Sequence, residues 1–388
     1  MDVKYVKLGE HCSKIGSGAT PKGGSSVYID SGVSLIRSQN VYNLQFSYSG
    51  LAHINDSAAN KLKGVTVKKN DVLLNITGDS VARTCVVPDN VLPARVNQHV
   101  AIIRPKEDVD SRYLNYYLAS PTMQGYLLNI ASTGASRNAI TKAMIEKLVI
   151  PIPNLDSQRR IASILSAYDN LIENNNKRIR LLEQMAENLY KEWFVRFRFP
   201  GHEKVEMENG LPKGWNRSPL KTICEFSRGK NITSVEMVPG DVPVISAGIS
   251  PSGFHNKSNV KGTSVTVSSS GANAGFISVH YEDIWAADCS YVSEDGTNNI
   301  YFVYETLNNI RAIVDNLQRG AAQPHVYPKD LNRIVVVIPS EKLQGLANER
   351  FKQIHLLISK LQQQNERLSR QRDLLLPRLM SGKLEVKE

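Results

Sequence analysis

The sequence predicts an α+β protein: two mixed α/β domains joined by two long antiparallel coiled-coil helices, with internal pseudo-twofold symmetry. Three observations predict it. A repeat runs at a period of 186 residues, each copy ends in a polar segment with apolar residues at heptad spacing, and each of those seams carries one asparagine. The chain has 388 residues, 41% of them hydrophobic, which suffices for real cores. At roughly 100–200 residues per domain, two to four domains fit that length.

The repeat sets the organisation. Gly134-Ala135-Ser136-Arg137 returns as Gly320-Ala321-Ala322-Gln323, and Ile145 to Pro153 returns as Leu331 to Pro339, with no gap between the blocks. Leu8-Gly9-Glu10-His11-Cys12 is echoed by Leu220-Lys221-Thr222-Ile223-Cys224 at an offset of 212, so the two globular parts differ in length. A period of 186 exceeds the roughly 20–50 residues of solenoid repeats. It reads as a duplicated domain followed by a duplicated helix. The domains are placed at 1–156 and 200–340, and the helices at 157–199 and 341–388.

Within the first globular part, Val33 to Ile36, Asp71 to Ile76 and His99 to Ile103 read as strands, and Asp110 to Asn129 as a helix. In the second, Val242 to Ile245, Ser264 to Val267 and Phe276 to Val279 read as strands, and Glu305 to Leu317 as a helix. Glycine-rich stretches such as Gly16-Ser17-Gly18 and Ser268-Ser269-Ser270-Gly271 read as loops.

The first heptad seam is Ile161, Leu165, Tyr168, Ile172, Asn175, Ile179, Leu182, Ala186 and Leu189. The second is Phe351, Ile354, Ile358, Leu361, Asn365, Leu368, Arg372 and Leu375. A buried asparagine costs stability unless it finds a partner, and it specifies register. With Asn175 set opposite Asn365, the remaining partners follow, each pair of residue numbers adding to 540. Leu165 then meets Leu375, Ile179 meets Leu361, and Ala186 meets Ile354. Only Tyr168 with Arg372 is mixed, and there the ring can cover the arginine stem. At 1.5 Å per residue such helices are roughly 54 Å long. The alternative is two separate amphipathic helices, each packed on its own domain.

Charge and cysteine usage bound the function. Lys and Arg number 47 against 37 Asp and Glu, a net charge of +10, which suits a polyanionic partner. It is unevenly spread: +5 on residues 1–157, +3 on 158–199, −2 on 200–340 and +4 on 341–388. A nucleic-acid contact in the third segment must therefore come from a local patch. No run of 18 apolar residues exists and Met1 to Tyr5 lacks a signal-peptide core, so no membrane span or secretion is expected. Cys12, Cys85, Cys224 and Cys289 form no Cys-x-x-Cys pair, which fits a reducing cytoplasm and argues against a zinc site.

Catalytic motifs are missing. Gly18 to Ser25 nearly fits a phosphate-binding loop, but Gly24 stands where the lysine must be and Pro21 interrupts it. No Asn-Pro-Pro-aromatic or Asp-Pro-Pro-aromatic motif is present. Glu385-Val386-Lys387 has the spacing of a nuclease Glu-x-Lys, but it falls in the C-terminal tail. His99 and His325 have no carboxylates at metal-ligand spacing, and His11 beside Cys12 does not make a catalytic pair. No cofactor or metal is expected.

Together these stretches resemble the specificity (S) subunit of type I restriction–modification systems. The resemblance rests on Ile15 to Pro21, Val96-Asn97-Gln98-His99-Val100, Ile150 to Pro153 followed by Gln158-Arg159-Arg160-Ile161-Ala162, Trp193 to Pro200, and Leu375 to Gly382. It covers essentially the whole chain in the order globular, helix, globular, helix. The second half departs where Gln158-Arg159-Arg160-Ile161 becomes Gln344-Gly345-Leu346-Ala347. The resemblance implies two target recognition domains, each reading half of a bipartite double-stranded DNA site, and two conserved spacer helices that set the gap. It further implies docking of two methyltransferase (M) subunits, joined by translocase-nuclease (R) subunits in the full complex, and no chemistry in the chain itself. A coiled-coil scaffold without DNA binding and a self-sufficient restriction enzyme are the competing readings. The first leaves two long domains rich in polar loops unexplained, and the second lacks its motifs.

Base reading needs paired donors and acceptors, or Arg and Lys for guanine. In the first domain the candidates are Thr20, Lys22, Arg37, Gln39, Asn40, Thr77, Arg83, Arg137 and Asn138. In the second they are Arg228, Lys230, Asn256, Lys257, Ser269, Asn273, Arg319 and Gln323. Asn97 and Gln98 read as fold support. Trp193, Phe194, Phe197 and Phe199 fit either a contact for an M subunit or packing where the first helix enters the second domain.

Overall fold

A computed structural model describes residues 3–132, 138–318 and 324–384. The chain divides into two compact units. One comprises Met1–Asn174 with Asn365–Glu388, and the other Asn175–Gln364. Each long helix, Leu155–Tyr190 and Glu341–Met380, contributes to both.

In the first unit, Val72–Asn75 and Val100–Pro105 form the middle of a four-stranded antiparallel sheet, flanked by Thr84–Val86 and Cys12–Ser17. A five-stranded sheet has Val33–Ile36 at its centre, paired in parallel with Ala94–Val96 and antiparallel with Ala52–Ile54. Both strands of the first sheet's middle are apolar because both their faces are covered. Leu74, Ala101 and Ile103 pack under the helices, and Leu73 and Ile102 pack towards Ile36 and Val96.

The second unit repeats this plan. Its four-stranded sheet runs Ile277–His280, Ser264–Ser268, Cys289–Ser293, Ser227–Arg228. Its second sheet is reduced to three strands, with Val242–Ile245 again paired in parallel to Trp285–Ala286. In each unit a two-stranded ribbon joins the start of the globular part to the strand that leads into the long helix. Lys4–Lys7 pairs with Val149–Ile152, and Asn216–Pro219 with Val335–Ile338.

The helix expected over 110–129 is two helices, Ser111–Ala119 and Pro121–Ser132. Pro121 pushes Ser120 out of helical geometry, to ψ 146°, and the chain bends there. The helix expected over 305–317 begins earlier, at Ile300, and is split into Ile300–Asn309 and Arg311–Asp315. The residue before its apolar start, Asn299, is of a capping type but makes no side-chain capping bond. The cap comes from the second long helix, where Asn348 Oδ1 accepts from the Tyr301 and Phe302 amides at 3.0 and 3.3 Å.

The long helices pack antiparallel within each unit. In the first, Ile161, Ala162 and Leu165 share a buried cluster with Leu376, Leu379 and Met380, and Arg372 Nη1 meets Asp169 Oδ1 at 2.6 Å. In the second, Ile179 and Ala186 share the core with Phe351, Ile354, Ile358 and Leu361. There the buried Asn175 donates through Nδ2 to Gln364 Oε1 at 3.2 Å, and the Tyr190 ring lies 6.4 Å from that of Phe351. The residue numbers of these three cross-helix pairs add to 541, 539 and 541. The aromatic run after the first helix packs inward: Phe194 and Phe199 are buried in the second unit's core, with Trp193 and Phe197 against it.

One clamp ties ribbon to helix in both units. Gln158 Nε2 donates to Pro153 O at 2.9 Å, and Gln344 Nε2 to Pro339 O at 2.8 Å. Gln158 is fully buried and also accepts from Asp110 N and donates to Asp108 O. Gln158→Ala would remove the partner of three backbone groups, of which Pro153 O is buried. We expect a loss of about 3 kcal/mol, read from the urea unfolding of the chain.

Burial also pushes the His280 imidazole down, from 6.5 to about 4, where its Nε2 meets the Thr266 hydroxyl at 2.8 Å. The folded chain therefore keeps this ring neutral at pH values where the unfolded chain protonates it. The stability it contributes is complete above about pH 6.5 and is lost as the pH falls towards 4, on the order of 3 kcal/mol in all. His280→Gln should flatten the acid slope of unfolding free energy over that window.

Candidate nucleic-acid interface

Five chain segments far apart in sequence converge at one end of each unit, held by backbone hydrogen bonds. In the first unit the chain leaving Cys12–Ser17 is fastened by Gly18 N to Val100 O (2.9 Å) and Ala19 N to Val96 O (3.0 Å). The turn at 97–99 is fastened by Asn97 N to Ile36 O (3.0 Å) and by Ile76 N to His99 O (3.0 Å). Ile140 N then reaches Ile76 O at 2.8 Å, and Thr77 bridges Ala139.

The second unit makes the same set. Gly229 N reaches Cys289 O (2.9 Å), Lys230 N reaches Ala286 O (2.9 Å), and Ala287 N reaches Ile245 O (2.8 Å). Ser269 N reaches Asp288 O (3.2 Å), Val326 N reaches Ser269 O (2.9 Å), and Ser270 bridges His325. Two glycines make the approach possible. A Cβ at Gly18 would stand 2.1 Å from Val96 O, and one at Gly229 would stand 2.3 Å from Ala287 O. No backbone can yield that much, so the residues that resembled half a phosphate loop serve a close strand crossing instead.

On this frame the first unit presents Thr20 beyond Ala19, Arg37 beyond Ile36, Thr77, and Asn138, whose carbonyl accepts from Gly78 N at 3.4 Å. Thr20 and Asn138 are exposed. Thr77 Oγ1 meets His99 Nδ1 at 2.6 Å, with Gln98 exposed beside it. Arg37 is partly buried, its guanidinium 5.5 Å from the Tyr28 ring and donating to Gly50 O, which Gln39 also reaches. Arg83 stacks over Tyr42 at 4.7 Å. Lys22 is exposed in the turn that follows Thr20.

Asn40 is a correction. It is fully buried, donates to Ser47 O (2.9 Å) and Ser49 O (3.2 Å), and accepts from Arg37 N (3.0 Å). Its amide is consumed by the turn it closes. A residue that sequence reading passed over does similar work: Asn75, buried in an apolar strand, donates to Ser38 O and Val41 O and anchors the same turn. Its polarity directly after Val72-Leu73-Leu74, in the same strand, was the available signal. Asn97 holds the 97–99 turn, its Oδ1 accepting from His99 N at 3.1 Å.

In the second unit Arg228, Lys230 and Asn273 are exposed around the equivalent frame. Asn256 and Lys257 are exposed just past strand Gly253–His255. Ser269 is a correction: it is fully buried, and its Oγ finds no partner among the described residues. Its neighbour Ser270 is the accessible one, and it donates to Asp288, which also pairs with Arg228. Asp288 was missed because an isolated aspartate in Ala287-Asp288-Cys289 carries no motif. Arg137, Arg319 and Gln323 lie outside the described residues, as do Glu385 and Lys387.

The duplicated frame with polar and basic side chains at its rim defines a two-part recognition protein. Residues 1–184 and 212–370 match the family model described as the type I restriction modification DNA specificity domain, and the chain belongs to that family. It is 26% identical to the type I restriction enzyme MjaIX specificity subunit of Methanocaldococcus jannaschii, covering 100% of this chain and 94% of that one. It is 23% identical to the MjaVIII specificity subunit of the same organism, over 88% and 87% of the two chains. The fold is that of the crystal structure of a type I restriction–modification S subunit from M. genitalium. That match has a TM-score of 0.63 at 18% identity, covering 100% of this chain and 97% of that one.

Asn40→Ala should therefore cost the fold about 2 kcal/mol in urea unfolding while leaving the recognised DNA sequence as it was.

Proposed function

We propose that this chain is the DNA-specificity subunit of a type I restriction–modification complex, and that each globular unit reads one half of a bipartite double-stranded site. It catalyses nothing itself. The observation that carries the reading is the duplicated loop frame, set within a family defined by DNA specificity. Two M subunits dock on the chain, and R subunits join them in the full assembly; methyl transfer and cleavage belong to those subunits. Its place is the cytoplasm, with the host DNA. Among the described residues no helix is long and apolar enough to cross a membrane.

The work divides by chemistry. Exposed Lys22, Lys230 and Lys257 suit phosphate oxygens, which position a domain without reading sequence. Arg37, Gln39, Thr77, Arg83 and Asn138 in one domain, and Arg228, Asn256 and Asn273 in the other, offer the donors and acceptors that base edges require. Arg137, Arg319 and Gln323 complete the candidate set from the sequence. The domains at 1–156 and 200–340 are the readers, and the helical segments at 157–199 and 341–388 are the spacer. Asn175 and Asn365 hold the register of that spacer. Half-sites about one helical turn apart, ~34 Å, present the same face of DNA.

Removing one heptad from both helices at matched positions should shorten the unread gap and leave both half-site sequences intact. Mapping methylated sites in a host that carries the complete system reads this directly. An unchanged gap refutes the spacer role, and absence of sequence-specific methylation by the unmodified system refutes the function.

A further inference from the structure

We propose that Arg228 and Asp288 act as one base-reading pair that selects a guanine–cytosine base pair in the half-site of the second unit. The inference rests on the reading of this chain as a DNA-specificity subunit.

Asp288 occupies in the second unit the place that His99 occupies in the first. The carbonyl of each accepts from the end of the equivalent strand, Ser269 N in one case and Ile76 N in the other. The side chain of each meets the hydroxyl of the residue that follows: Ser270 on Asp288, Thr77 on His99. The main-chain hydrogen bonds around the turn are thus the same twice, on a turn one residue shorter in the second unit, while the side chain changes from an imidazole to a carboxylate. Chemistry that differs between two copies of one frame is chemistry the frame does not need.

Stability does not account for the pair either. The side chains of Arg228 and Asp288 are 39% and 23% exposed. An ion pair so open to water adds at most a little to folding. A carboxylate at a DNA-facing rim is, moreover, repelled by phosphate unless a donor meets it. That repulsion makes it selective, because any base without an amino group in reach leaves it unpaired.

The donors and acceptors suit a G·C pair best, because guanine takes two donors where adenine takes one. Arg228 Nη2 holds Asp288 Oδ1, and Ser270 Oγ holds Oδ2. Each carboxylate oxygen keeps a lone pair beyond these bonds, and the guanidinium keeps further N–H groups. In the major groove guanine offers acceptors at O6 and N7, and its partner cytosine offers the N4 amino donor. A guanidinium and a carboxylate locked side by side are complementary to both. The locking also lowers the entropy lost when they engage.

The test maps modified sites in a host carrying the complete system with Asp288→Asn or Arg228→Gln. The unmodified system should require a G·C pair at one position of the half-site read by the second unit. Asp288→Asn should relax that position and admit A·T, because an amide can serve adenine N6 and N7 together, with modification of A·T sites rising about tenfold or more. Arg228→Gln should relax the same position. The other half-site and the gap should stay as they were, which also reports that the variant is folded. If the variants keep the original sequence with modification lowered evenly or unchanged, the pair only supports its loop and the inference is overturned. If a variant modifies nothing, Arg228→Met is the readout, since it keeps the side-chain stem and removes every donor; an unrelaxed guanine there also overturns the inference. Failure of the broader reading looks different, because the unmodified system then shows no sequence preference at all.

Discussion

The recognition surface of each unit depends on a backbone crossing that only glycine permits. At Gly18 and Gly229 the chain passes so close to the carbonyls of the following turn that any side chain would overlap them. That approach brings the end of strand Cys12–Ser17 or Ser227–Arg228, the end of the parallel strand, the sheet's central strand and the 97–99 or 287–288 turn to one place. Every exposed candidate on the frame, from Thr20 to Arg228, is positioned through it. The loops are thus fixed by main-chain hydrogen bonds, which do not depend on side-chain identity. This leaves side chains at the rim free to differ while the scaffold stays constant.

The same logic separates residues that build the frame from residues that can read DNA. Asn40, Asn75, Asn97 and Ser269 are polar, lie at or beside strand ends, and sit close in sequence to the exposed candidates. All four are buried, and the three asparagines spend their amides on backbone groups that would otherwise be unmet in the interior. Composition treats these residues alike with Thr20 or Asn273. Only burial distinguishes them.

The long helices show how two kinds of sequence signal differ in reach. Heptad spacing is local, and the seams it marks, Ile161 to Leu189 and Phe351 to Leu375, fall inside the helices Leu155–Tyr190 and Glu341–Met380. The buried polar groups along them are answered from other elements: Arg372 by Asp169, Asn175 by Gln364, and the Ile300 helix start by Asn348. His355, an unmarked position in the sequence pattern, is buried against Glu305 and the Tyr281 hydroxyl. These contacts are specific in geometry and silent in periodicity.

The sequence by itself determined the duplication, the order of globular and helical segments, the central strands, and the membership in a DNA-specificity family. Those features are written in periodicity and in ordered motifs, which survive without coordinates. The tertiary structure decided which polar residues face outward, where Pro121 and Asn348 break or begin helices, and that Asp288 stands in the place of His99. The physical reason is the range of the interactions. Hydrophobic spacing acts within one element, whereas burial of one asparagine and exposure of another follow from packing between elements far apart in sequence, as where Asn75 reaches Ser38 O and Val41 O.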